Sequence, residues 1–411
     1  MAGFGMVATM RTVLLRVAGM LACCGAVCMA AQAPTSKPAS PVAGGVYVTA
    51  EGLVKCRDVP RRMPAPESGE LCHVSLPRLF AAVRALSEAG KPLPADMLNL
   101  GGLTQVRYVL ADPDRKDLVI AGPVRPTTMP ANRGRPTLKL DDLIMMMRFV
   151  RGKGWFGCSI DPTPGSMERS NQVMKDFATA SRAARMAEMA KALGPQVVTV
   201  FGTPPESRIS SVTVFADYRM KRCVLGLDPV PGLGNAFDAS RTAAFRFWFE
   251  AKYDPLLVSD DGTAFQLRGP RLHLLCGALN FDPRGATPAA NAYARAFTEK
   301  IPALAGAMVE FAELQNVTDL SIVAALIRME KLDQRVKWDP SWVLENFRAE
   351  RFTPPRTAEV LVTTAGGSIV AGGVRLAPFE AVERMERQAD DGSLGGVRKA
   401  VPQGRWRVTG G

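Results

Sequence analysis

The groups best equipped for chemistry gather in two short segments. In Gly157-Cys158-Ser159-Ile160-Asp161-Pro162-Thr163 a carboxylate closes an apolar, β-prone run just ahead of a helix start, a position where strand ends often present functional groups. In Ala216-Asp217-Tyr218-Arg219-Met220-Lys221 an acid, a phenol and two bases fall within six positions. Cys158, Asp161, Asp217, Tyr218, Arg219 and Lys221 are therefore the candidate binding residues. Each also has a plainer role. Asp161 can close an Asx-type turn that feeds a helix cap at Ser166, and Asp217 with Lys221 can form an i,i+4 pair on a helix surface worth about 0.2–0.5 kcal/mol.

Other constellations fail on residue type or spacing. With only His73 and His273, the chain cannot build a three-histidine metal centre. Ser368, in Gly366-Gly367-Ser368-Ile369-Val370, lacks the last glycine of a nucleophile elbow and runs into a β-prone stretch. Gly232-Leu233-Gly234 has no third glycine to cradle a phosphate. Asp112, Asp114 and Asp117 imitate a calcium loop but lack its turn glycine and distal glutamate, so they read as a hairpin tip. No cofactor motif is present. A hydrolase would have to pair Asp161 or Asp217 with His273 as base. A glycan- or polyanion-binding module would rely on Trp248, Trp338 or the basic stretch 398–407.

The first residues set the compartment. Arg11 and Arg16, with no acid near them, precede an apolar run over 17–30 and the small residues Ala30, Ala31 and Ala33, the form of an export signal. Cleavage after Ala33 would leave Pro34 at the new terminus, so the bond after Ala30 or Ala31 is favoured. Arg16 interrupts the run too early for the roughly 20 apolar residues of a membrane anchor. Met20-Leu21-Ala22-Cys23 is a poor lipoprotein box. Residues 1–31 are thus expected to be a signal peptide and 32–45, rich in Pro, Ser, Ala and Gly, a flexible leader. The mature chain is expected in the periplasm, the cell envelope or the medium.

Composition bounds the rest. The 411 residues, 47% apolar and 22% charged, describe a globular chain too long for one small core. Losing Arg11 and Arg16 lowers the net charge of +12 by two, to +10, suited to anionic envelope polymers or to another envelope protein. The basic clusters at 55–62 and 398–407 lack the interleaved aromatics of a nucleic-acid reader, and no later segment can span a bilayer. Of eight cysteines, three fall in the signal. The remaining five, Cys56, Cys72, Cys158, Cys223 and Cys276, leave at least one unpaired, and Cys56 with Cys72 is the disulfide candidate.

The elements that must position these groups are read from periodicity and caps. Ser75 caps a helix through Leu86, and 105–110 with 118–121 form a hairpin. Asp141 caps a helix over 143–150. A buried strand over 154–160 leads to a long helix over 166–194 and a strand over 196–201. Residues 207–227 are ambiguous, helical overall but extended at 212–215. A period of two governs 244–279, with Asp261-Gly262 turning a hairpin between 256–258 and 264–267. Helices follow over 291–300, 302–315, 319–331 and 340–347, then short strands over 359–363, 369–376 and 406–408. Strand pairs and helices segregated this way give an α+β fold with mixed and antiparallel sheet pieces. Its expected parts are 46–152, 153–350 and a short-strand region over 351–411.

GCSIDPT at 157–163, ADYRMKRCVLGL at 216–227 and FAELQNVTDLSIVAALI at 311–327 resemble the recurring motifs of a planctomycete-centred family of exported bacterial proteins known only as a domain of unknown function. The resemblance implies export and no particular chemistry. The expected function is a non-catalytic binding or structural protein of the envelope or periplasm.

Overall fold

The structure, a computed structural model, describes residues 44–58, 71–125, 134–230, 232–233, 246–277, 281, 283–284, 286–361, 371–399 and 404–409. The expected signal peptide and Ser368 lie outside them. Along the chain run β1 (Val46–Val48), β2 (Leu53–Cys56), β3 (Leu71–Ser75), α1 (Leu76–Glu88), α2 (Ala95–Leu98), β4 (Tyr108–Asp112), β5 (Asp117–Pro123), α3 (Leu140–Phe149) and β6 (Phe156–Asp161). Next come α4 (Pro164–Asp176), α5 (Arg182–Leu193), β7 (Gln196–Phe201), α6 (Arg208–Val224), β8 (Arg246–Lys252), β9 (Leu256–Val258), β10 (Ala264–Leu267) and β11 (Arg271–Gly277). The chain ends with α7 (Pro288–Ala307), α8 (Val309–Met329), α9 (Leu332–Arg335), α10 (Ser341–Asn346), β12 (Thr357–Ala358), β13 (Ala371–Leu376), α11 (Pro378–Arg384), β14 (Arg387–Ala389), α12 (Ser393–Lys399) and β15 (Arg407–Thr409).

The strands form two mixed sheets. One has the order β1-β2-β12-β7-β6-β13-β8-β11, the other β14-β9-β10-β4-β5-β3-β15. This is the α+β class the segregated patterns imply. Residues 38–411 make one compact unit, and each sheet draws strands from 46–152, 153–350 and 351–411, so the three expected parts share their hydrogen-bonded ladders.

Two helices form the centre. Helix α8 is buried at every position from Val309 to Ile327, and α6 at every position but Arg222. A helix apolar on all sides is a core helix, yet α6 and α8 carry many charges, each of which needs a partner inside. Burial also resolves the ambiguity of 207–227. Ser207 Oγ accepts from Ser210 N at 3.2 Å and starts a continuous helix, and packing against β6, β13 and α8 overrides the extended preference of Val212, Thr213 and Val214.

Local signals were decisive where the cap or turn has a single reading. Ser75 caps α1, and β4–β5 and β9–β10 are the expected hairpins. Elsewhere the boundaries moved. The long helix over 166–194 is two, because Ser181 caps α5 and Thr163, not Ser166, caps α4. Helix α3 begins at Leu140, so Asp141 lies within its first turn and caps nothing. Pro302 sits inside α7, and Asp319 is mid-helix in α8, its carboxylate turned to buried partners.

Candidate functional site

The register of β6 against β13 pairs Cys158 with Val374 and Ile160 with Gly372. Side chains alternate across a strand, so Cys158 and Ile160 face α6 while Ser159 and Asp161 face the other side of the sheet. Asp217 and Lys221 therefore sit on one face and Asp161 on the opposite one. Lys221 Nζ donates to Ile160 O at 2.6 Å and to Gln196 Oε1 at 3.4 Å. Neither oxygen of Asp217 has a hydrogen-bond partner among the described residues. Burial raises its pKa to about 7, against the opposing pull of Lys221, and burial lowers that of Lys221. The pair is a core feature and not the surface pair expected from spacing. Cys158 is buried beside it, its thiol pushed up chiefly by desolvation.

Asp161 does not close the expected Asx turn. Its Oδ1 accepts from Arg246 Nη2 at 2.7 Å, while Arg246 also donates to Gly372 O and lies 4.5 Å from the centre of the Phe281 ring. Arg219 points elsewhere, donating to Glu310 Oε1 at 2.8 Å and Asp228 Oδ2 at 2.7 Å. The Tyr218 side chain is buried, and its hydroxyl is pushed up by desolvation. The candidates thus separate into an inner pair, an outer ion pair and a third network.

Asp161 and His273 are not brought together. His273 pairs with Glu250 across β8–β11, whereas Arg246, which holds Asp161, pairs with Gly277. Four strand positions amount to roughly 13 Å at about 3.3 Å each. Desolvation and Lys252 lower His273 to about 4, so it is neutral at pH 7. His73, expected in a loop, is buried in β3. Cys56 in β2 and Cys72 in β3 lie in different sheets, and no disulfide joins them. Trp248 is fully buried and can stack no sugar, while Trp338 is half-buried and makes a T-shaped contact with Phe80 at 5.1 Å. The basic C-terminal stretch is partly neutralised, since Arg398 pairs with Asp261 and Arg407 with Asp96.

The structure assembles a further site elsewhere. A cleft of ≈ 350 Å³ lies between α3, the start of α6 and the segment after α10, with Asp142, Met145, Arg208, Ile209, Phe347 and Ala349 among its lining residues. Helix α3 supplies Asp142, and Ser207 caps α6 so that Arg208 opens that helix against it. The Arg208 guanidinium bridges Asp142 on α3 and Glu313 on α8. Asp142 is 1% exposed, and its Oδ1 has no hydrogen-bond partner among the described residues. Desolvation raises Asp142 to about 6, with Arg208 pulling it down and Glu313 pushing it up. The wall is tied in place: Arg148 donates to Leu344 O at 2.6 Å and Phe347 O at 2.7 Å, and Asp141 Oδ2 accepts from Glu350 N at 3.0 Å. Sequence reasoning passed over Asp142 and Arg208. The only signals were an acidic doublet at a helix start and an arginine after a cap serine, both ordinary on a surface.

Residues 158–234 match the model of a family described as protein of unknown function (DUF1598). No curated protein and no solved structure matches the chain. The DUF1598 match runs from β6 through α6, so it holds the 157–163 motif from Cys158 onward, the 216–227 motif, and Arg208 of the cleft. The 311–327 motif falls outside it, in α8, which supplies the buried acids that Arg208 and Arg219, both within the matched residues, meet.

Proposed function

We propose that the protein is an exported, non-catalytic binding protein of the periplasm or cell envelope, and that the cleft beside Asp142 is where it holds its ligand. The export signal and the basic mature chain support the compartment, with anionic envelope polymers or another envelope protein as surroundings. No helix among the described residues is long and apolar enough to cross a membrane. The observation that carries the binding reading is the buried Asp142 carboxylate with an unused oxygen in a cleft of ≈ 350 Å³, within the size range of small-molecule pockets. The sequence-selected charges, by contrast, serve internal pairing: Asp161, Arg219 and Lys221 each hold a partner from another element.

The test is a melting-temperature screen of the mature protein against small amines, carboxylates, amino acids, phosphorylated sugars and neutral polyols. A ligand at 100 times its Kd stabilises by about 2.7 kcal/mol. At least one class is expected to raise the melting temperature, and Ala349→Trp, which fills the cleft, is expected to abolish the shift. Shifts that survive Ala349→Trp unchanged, or none from any class, would overturn the reading.

A further inference from the structure

We infer that the cleft takes the head of a primary alkylamine, with the ammonium donating to Asp142 Oδ1 and the alkyl chain lying along Met145, Ile209, Phe347 and Ala349. The inference rests on the cleft being the binding site and names what it binds. Charge decides the class. The lining carries four acids, Asp141, Asp142, Glu206 and Glu350, and four arginines, Arg148, Arg208, Arg348 and Arg351, and Glu313 behind Arg208 adds a fifth acid, so the site holds one negative charge in excess. Lys139, on the N-terminal flank of α3, directs its ammonium to Asn99 Oδ1 at 2.5 Å and Thr137 Oγ1 at 3.3 Å. Burial lowers its own pKa, and Glu313 opposes that shift. At the rim, Glu206 pairs with Arg351, and the Arg148 guanidinium is taken by backbone carbonyls.

A buried carboxylate in this state gains from a cation in two ways. The ligand supplies the missing hydrogen bond, and it supplies the charge that desolvation makes the site want. An anion would add to that excess of negative charge and would bring no donor to Asp142 Oδ1. A neutral alcohol could donate to Oδ1 but would leave the charge uncompensated. A quaternary ammonium carries the charge without an N–H to donate. The apolar part of the lining suits a short aliphatic chain. The same head group occurs on free diamines and on the side chains of lysine-type residues in peptides.

Calorimetry on the mature protein at pH 7.5 tests this with 1,5-diaminopentane and Nα-acetyl-lysine amide as the two sources, and with 1-pentanol, glutarate and choline as controls. Binding of either amine at least tenfold tighter than all three controls is expected, and whichever amine binds more tightly identifies the source. Asp142→Asn should weaken the amine at least tenfold, and so should lowering the pH to 5, one unit below the Asp142 value of about 6, where roughly a tenth of the carboxylate remains ionised. Ala349→Trp should also remove binding. Amine affinity unchanged in Asp142→Asn overturns the inference. So does binding of an anion or alcohol, but no amine, in a manner sensitive to Ala349→Trp, although the cleft then stands as a binding site. If no compound binds in a manner sensitive to Ala349→Trp, the cleft reading itself fails.

Discussion

A Cβ added to Gly372 would stand 2.0 Å from Asp217 Oδ1 and 2.6 Å from Lys221 Cε. Helix α6 therefore rests on β13 at a distance only a glycine permits, and the inner charged pair is sealed by that contact. Gly372→Ala has to move a fully buried carboxylate or part the helix from the sheet. The expected cost is about 1–3 kcal/mol, read as a lower midpoint in urea unfolding with an unchanged slope.

Lys221 and Asp217 are buried near each other with no direct hydrogen bond, and each acts on the other through charge, so neither can be removed singly without penalty. Lys221→Met leaves the acid without its nearby cation and is expected to destabilise by about 3–5 kcal/mol, whereas Lys221→Met with Asp217→Leu should recover most of that loss. Unfolding free energies of the wild type, the two single variants and the double variant measure the coupling. A double variant no more stable than Lys221→Met would contradict the pairing.

The same acid predicts a pH dependence. Asp217 is raised in the folded protein to about 7 from 3.8, so the folded state holds its proton more tightly than the unfolded chain does. Its contribution to stability is complete below about pH 4 and is lost as pH rises to about 7. Asp217→Asn should remove that slope, seen as a flatter stability profile between pH 4 and 7.

Asp319 holds four donor atoms from three residues. Its carboxylate accepts from Arg271 Nε at 2.8 Å and Nη2 at 2.7 Å, from Tyr253 Oη at 2.5 Å and from Val106 N at 2.9 Å. Asp319→Ala strands a buried guanidinium and is expected to cost about 3–5 kcal/mol. Tyr253→Phe, which removes one neutral donor, should cost only about 1 kcal/mol. Equal losses in the two variants would show that the arginine is satisfied without the acid.

The export proposal is checked at the N-terminus. Protein recovered from the envelope fraction of its native cells should begin at Ala31 or Gln32, as read by N-terminal sequencing. A chain retaining Met1 in the cytosol would refute both the cleavage and the compartment.

Much of the fold was legible because its signals are local. Ser75, Asp261-Gly262 and the alternation through Phe247 and Phe249 each act over a few residues, and tertiary packing had no cause to override them. Helix α6 was not legible in this way, since what decides between helix and strand at Val212–Thr213–Val214 is a sheet on one side and α8 on the other. The binding candidates failed for a related reason. A row of charges such as Asp217, Arg219 and Lys221 looks the same in sequence whether its partners are water or other elements. Asp142 was hidden because its counterpart Arg208 is 66 residues away and its other neighbour, Glu313, is more distant still.

Helix α8 carries its acids at 310, 313 and 319, and each meets an arginine held by a different turn of α6 or by β11: Arg219, Arg208 and Arg271. Sliding the helix along its groove by one turn, about 5.4 Å, would set all three carboxylates against the wrong neighbours at once. An otherwise greasy rod with little preferred side is thereby keyed to a single seat. Misplaced packings are penalised by three stranded charges, and the ligand cleft inherits its floor from that lock.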